Sequence, residues 1–190
     1  MASRLLSKTK YLSGLQCQKY LWVATHEPGR IPEPDAGTQH RFDQGHLVGQ
    51  LAKNLFPDGI DIPVGNFIGN IRQTGELLSK RRPLFEAGIL RDNLYCRVDI
   101  LRPSGSDAWD IVEVKSSTKI RRVDLHDVSF QRFCCEMSGL KVNKCYLTHI
   151  NNQYVKVGEI DCHQLFITED ITEEVDEVRS SINGRVEDLL

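Results

Sequence analysis

Asp99 in RVDIL, and Glu113 and Lys115 in DIVEVK, are the residues of this chain best suited to chemistry. Glu113 and Lys115 are two apart, so on a β-strand their side chains share one face. Asp99 lies one hairpin earlier. With a turn near Gly105 its strand runs antiparallel beside DIVEVK, and its carboxylate faces residues around 111, within reach of Glu113. Two carboxylates offer hard oxygen ligands to a divalent cation, and an adjacent lysine can steer a water toward a phosphate held there. This is a residue set for phosphodiester hydrolysis. On a solvent-facing edge the same residues would be an ordinary cross-strand charge pair. Val98, Ile100, Ile111, Val112 and Val114 instead make both strands read as central, where an uncompensated carboxylate is costly and a cation relieves it.

These residues need a frame. LFEAGIL, LYCRVDIL and WDIVEVKSS are apolar runs separated by the polar turns RDN and PSGSD, the pattern of a meander. Helices are predicted around it. One covers Ser7 to Thr25, restarted near Ser13 and Gly14, with Ser13 and Gln16 spaced as a capping box. A second runs from Thr38 to Leu55, carries His46 and stops before Pro57; a short third runs from Gln73 to Arg82. A fourth, Asp124 to Met137, is closed by Gly139. KCYLTHI and QYVKV, joined at Asn151 and Asn152, read as a further hairpin. The last helix is capped by Asp170 and Glu173 and bears one apolar stripe of Ile171, Val175, Val178, Ile182, Val186 and Leu189. Such alternation predicts an α/β fold, a central mixed sheet flanked by helices. No repeat or long linker divides it, so residues 1–190 are expected to form a single domain. Its loosest segment is 26–39, which holds three prolines.

At 190 residues, with 40% hydrophobic and 26% charged, the chain can bury a core without staples. A net charge of −2 supplies no global basic field, so composition neither favours nor excludes nucleic acid. Basic clusters at Arg4, Lys8 and Lys10, at Lys80, Arg81 and Arg82, and at Lys119, Arg121 and Arg122 are each either phosphate contacts or solvated charge. The start lacks the ~7–15 apolar run of a secretory signal, and no stretch nears the ~18 residues of a membrane span. A cytoplasmic location without a membrane partner is therefore expected. In that reducing setting the six cysteines, none in a CxxC pair, are expected as free thiols, with Cys134 and Cys135 pointing different ways from one helix.

Six blocks in order, SKTKYLSGLQCQKYLW, FDQGHLVGQLA, FEAGIL, RVDIL, DIVEVKSS and HDVSFQRFCCEMSG, resemble the RecB-like branch of the PD-(D/E)XK nuclease superfamily. The likeness extends to its CRISPR-associated single-strand exonucleases and a related uncharacterised bacterial family, and spans about residues 7–185. It implies a restriction-endonuclease-like core and a metal-dependent deoxyribonuclease, an exonuclease on single-stranded DNA or duplex ends. It further implies that His46, Asp99, Glu113 and the main-chain carbonyl of Val114 ligate Mg²⁺ or Mn²⁺, the histidine nitrogen favouring Mn²⁺. By the same resemblance Lys115 positions or activates water, and Gln131 orients Lys115 or contacts substrate. Glu86 in FEAGIL is an additional metal ligand, an acid behind the ligands, or a strand glutamate paired with Arg97.

Cys17 stands where the CRISPR-associated relatives place one of four thiolate ligands of an iron-sulfur cluster, the other three lying near the carboxy terminus. Nothing after Cys162 supplies them, so no cluster is expected here. Two readings fit: the amino-terminal part of a longer protein with further domains, the favoured expectation, in which Cys17 would be a ligand, or a cluster-free member. Tyr11, Tyr20 and Trp22 are candidates for stacking on unpaired bases, with core packing the alternative and the favoured one for Trp22. The competing function is a DNA-binding or assembly module that keeps the nuclease fold without catalysis. Residue types leave RNA or small nucleotides open as substrates, and leave the oligomeric state open too.

Overall fold

The computed structural model describes residues 5–190; Arg4 lies outside them. One seven-stranded mixed sheet forms its centre. The strands are β1 (Leu6–Ser7), β2 (Ile60–Asp61), β3 (Leu84–Arg91), β4 (Leu94–Ser104), β5 (Ala108–Lys115), β6 (Lys141–Ile150) and β7 (Phe166–Asp170). Their spatial order is β2-β3-β4-β5-β6-β7, with β1 also on β4. β3, β4 and β5 are the antiparallel meander expected from the apolar runs. β6 lies parallel to β5, reached through the helix α5 (Arg122–Met137), and β7 returns antiparallel to β6. Helices flank this sheet, giving an α/β architecture.

The register places Leu101 opposite Ile111 and ends at Ile100 with Val112, so one step further Asp99 comes level with Glu113 and not with residues around 111. The turn is therefore shorter than PSGSD, because β4 continues through Pro103 and Ser104 and leaves only 105–107 outside the ladder. Beyond Ile100 the pairing of β4 with β5 stops. β1 takes the same edge of β4 at Leu94 and Tyr95, since β3 occupies the other. Between those partners, along Cys96 to Asp99, the edge carries no strand among the described residues. Opposite Asp99, Glu86 adopts a left-handed φ of 59°. Across this kink the strands exchange faces: Phe85 and Ile100 belong to one apolar cluster, Ala87 and Val98 to the other. A left-handed glutamate within a strand holds strain of about 1–3 kcal/mol. Asn70 Nδ2 donates to its carbonyl at 2.9 Å and fixes it.

One face of the sheet packs on α5, α1 (Lys8–Gln16), and two carboxy-terminal helices, burying Tyr11, Val128, Phe130, Ile171, Val175 and Ile182 with the inner strands. The other carries α3 (Ala36–Ala52), whose Val48 and Ala52 pack near Val114 and Phe166. The first helical region breaks at Cys17 rather than at Ser13 and Gly14. Ser7 caps α1 by accepting from Lys10 N, and extended Cys17 separates it from α2 (Gln18–His26). Gly14 is instead a packing glycine, because a Cβ there would press on Leu189 and Leu21. α4 (Phe67–Leu77) starts ahead of Gln73 on an Asn66 cap. The carboxy-terminal stripe is buried as expected at Ile171, Val175, Ile182 and Val186, but on separate helices, α7 (Thr172–Arg179) and α8 (Ile182–Leu189). A short α6 (Cys162–Leu165) leads into β7. QYVKV is not the partner of β6: Val155 and Val157 are 77% and 87% exposed, while Phe166 of β7 buries against α3. No helix among the described residues is long and apolar enough to cross a membrane.

Candidate functional site

The gap on the edge of β4 is filled by charge. Glu113, on the α5 face of β5, is 1% exposed and accepts from Lys115 Nζ at 2.6 Å and Gln131 Nε2 at 2.7 Å. Lys8, the first residue of α1, reaches both oxygens of the same carboxylate at 3.1 and 3.2 Å. Asp127, one turn before Gln131 on α5, completes the group, taking Lys115 Nζ at 2.7 Å, Gln131 Nε2 at 2.9 Å and Lys8 Nζ at 3.3 Å. Asp99 points along the sheet to β5, where its Oδ2 accepts from the Val114 N–H at 2.9 Å. In an extended strand a residue's N–H and C=O point to one side. The Val114 carbonyl therefore also faces the β4 side, as the resemblance requires of a ligand.

Charge explains which groups are satisfied. Burial would raise Glu113, but the ammonium groups of Lys115 and Lys8 outweigh it and hold the carboxyl well below its ordinary range. Burial would lower Lys115, yet Glu113 and Asp127 push it up, so this lysine is a firm cation and no proton acceptor in the resting cluster. Lys8 is raised in the same way, Glu113 and Asp127 overcoming its burial. Asp127 is raised, first by burial and then by Glu113. Asp99 is raised to about 7, by burial and then by the Glu113 charge. Three carboxylates facing two ammonium groups leave one negative charge over, and Asp99, whose main partner is a backbone N–H, is where it falls.

A cleft of about 360 Å³ opens onto this cluster, lined by His46, Glu86, Arg97, Asp99, Glu113 and Val114. Every metal-ligand candidate thus faces one space. The donor chemistry of Asp99, Glu113 and a backbone carbonyl suits a hard divalent cation, and the surplus negative charge favours one. Coordination is nonetheless unassembled: among the described residues no three His, Cys, Asp or Glu side chains converge on a metal position. His46 sits exposed on α3, reaching the cleft from the opposite face. Glu86 pairs with Arg97 at 2.7 Å and lines the cleft as well. Gln131 holds the two carboxylates, not Lys115, because its amide donors face Glu113 and Asp127.

In the sequence Lys8 stands out only as part of a basic cluster, and Asp127 is not picked out. Asp127 precedes Gln131 by four, a helical repeat that puts both on one face, and Lys8 is the second residue of the first matched block. In the remaining basic clusters several side chains serve the fold, while Lys80, Lys119 and Arg122 stay exposed. Lys10 Nζ donates to the Leu5 carbonyl, Arg81 to carbonyls of Ser104, Gly105 and Ala108, Arg82 to that of Asp58, and Arg121 to Asp124. Tyr11 is buried and stacks on Phe130, which removes it as a base-stacking residue. Trp22 is 51% exposed and stacks on His26, so core packing fails for it. Cys17 is an exposed free thiol at the end of α1 away from Lys8, whereas Cys134 and Cys135, though adjacent, both lie against Cys96. No protein-family model matches this chain and no curated protein matches it; the buried cluster and its cleft are what a function must be read from.

Proposed function

We propose that this chain is a metal-dependent nuclease with a restriction-endonuclease-like core, hydrolysing phosphodiester bonds in DNA, with single strands or duplex ends as its substrates. The observation that carries the reading is the surplus carboxylate: buried Glu113 and half-buried Asp99, level with each other at a break in the sheet, open onto a cleft that also holds His46 and Arg97. Asp99, Glu113 and the Val114 carbonyl would hold Mg²⁺ or Mn²⁺, with His46 facing them across the cleft from α3, and the bound ion would lower the pKa of a water and polarise the phosphate. The side chains do the rest. Lys115, kept charged by Glu113 and Asp127, orients the attacking water and neutralises charge building on the phosphate oxygens. Its raised pKa favours that electrostatic role over proton abstraction. Gln131 keeps Glu113 and Asp127 in place, and Arg97 and Arg41 in the cleft wall meet backbone phosphates.

The test is incubation of the purified chain with end-labelled single- and double-stranded DNA in Mn²⁺ or Mg²⁺, beside Lys115→Ala. Metal-dependent cleavage lost in the variant supports the reading; equal inertness on every substrate sinks it. One observation favours a second reading, a DNA-binding or assembly module without catalysis: Lys8 and Lys115 already neutralise Glu113, so the cluster is stable as a purely structural ion network. Salt-sensitive DNA binding with no cleavage would select that module.

A further inference from the structure

Glu113 has no free lone pair. A carboxylate offers about four acceptor sites. Its Oε1 accepts from Lys8 and Lys115, and its Oε2 from Lys8 and Gln131. A cation can therefore ligate Glu113 only after one donor leaves, and the three donors differ in how firmly they are held. Gln131 is fully buried and tied to Asp127 at 2.9 Å. Lys115 makes the shortest contacts, 2.6 Å to Glu113 and 2.7 Å to Asp127. Lys8 makes the longest, beginning at 3.1 Å. It stands at the junction of a two-residue strand and α1, beside a recess lined by Ser7, Thr9, Tyr95, Arg97 and Asp99. Asp127 Oδ1, at 3.3 Å, can keep the ammonium when Glu113 lets it go.

We propose that Lys8 is a built-in counter-ion of Glu113 which a divalent cation must displace, so that this lysine sets how tightly the site takes metal. The proposal rests on the metal reading given above. In the resting chain Lys8 occupies Glu113 and steadies a buried charge; when the cation arrives, Lys8 withdraws to Asp127 and the recess beside Asp99. Both positions lie within the side chain's present contacts, so no rearrangement of the sheet is required.

The experiment is calorimetric titration of Mn²⁺ into the full chain without nucleic acid, for wild type, Lys8→Gln and Lys8→Arg. Lys8→Gln keeps a donor for Glu113 but removes the like charge, and is expected to bind Mn²⁺ about tenfold tighter or better. Lys8→Arg keeps the charge and is expected to bind no tighter than wild type. Equal affinity in wild type and Lys8→Gln overturns the proposal while leaving metal-dependent cleavage standing. Absence of Mn²⁺ binding in all three proteins, with no cleavage by wild type, overturns the metal reading and this proposal together. A second measurement needs no variant: acetylation of Lys8 in wild type, followed by peptide mass spectrometry, is expected to accelerate when Mn²⁺ is added. An unchanged rate counts against displacement.

Discussion

α5 and α3 lie on opposite faces of the same strands, and each brings side chains to the same site. α5 buries Asp127, Val128, Ser129, Phe130, Gln131, Cys134 and Cys135, and its polar groups lock Glu113 and Lys115. α3 is longer, at 17 residues, yet buries only Val48 and Ala52 and leaves Phe42 and Leu47 exposed. One helix is welded to the sheet and the other rests on it at its carboxy-terminal end. The lysine and carboxylates are thus preorganised, while His46, on the loosely held helix, has its approach to Asp99 and Glu113 left to local motion. That difference accounts for a site with all its groups facing one cleft and no closed coordination shell.

Substitutions can break each side of the contrast in turn. The largest effect is expected at Asp127. Replacing it by Ala takes a buried acceptor from Lys8, Lys115 and Gln131, though both lysines keep Glu113, and should destabilise the fold by about 3 kcal/mol, read as a fall in the urea midpoint. Asp99 should act in the other direction. Its carboxyl, raised to about 7, keeps its proton in the folded chain where the unfolded chain has lost it, so stability falls as pH rises from about 4 to about 7. Asp99→Asn removes the surplus charge and should gain about 1–3 kcal/mol at pH 8, vanishing near pH 4. Melting curves at the two pH values check the sign, and a loss of stability at pH 8 would contradict the charge count. On α3, Gly45 and Gly49 have open space where a Cβ would stand, so Gly45→Ala and Gly49→Ala should each firm the helix by about 1 kcal/mol, seen as slower amide exchange confined to that helix. The smallest change is His46→Ala: exposed and outside the ion network, it should move stability by less than about 0.5 kcal/mol while weakening Mn²⁺ binding.

Much of this is readable in the sequence, and the exceptions have physical causes. The strands of the meander are legible because β-branched runs and polar turns alternate, and Asp99, Glu113 and Lys115 are legible because their charges interrupt those runs. The level of Asp99 against Glu113 is not, since one shortened turn moves a register by two residues. The kink at Glu86 is hidden as well, because nothing in FEAGIL marks a left-handed residue. QYVKV has the better alternation, but FITED delivers Phe166 to α3, and tertiary burial decides between them. Lys8 is hidden by distance: 105 positions separate it from Glu113, and no local pattern reports a contact that long. Asp127 is within reach of sequence reasoning, because its helical spacing to Gln131 puts it on the same face of α5.

The two-residue strand β1 has a consequence for how the chain is made. It seats Lys8 by lying on β4 while α1 packs on α5 through Tyr11, and Lys8's carboxylate partners arrive later still, on β5 and α5. During synthesis the amino-terminal segment therefore emerges first and docks among the last, after well over half the chain has been translated. Until then Glu113 and Asp127 share Lys115 alone, so a nascent or amino-terminally clipped chain would carry the bare acidic form of the site, and the finished one its lysine-guarded form.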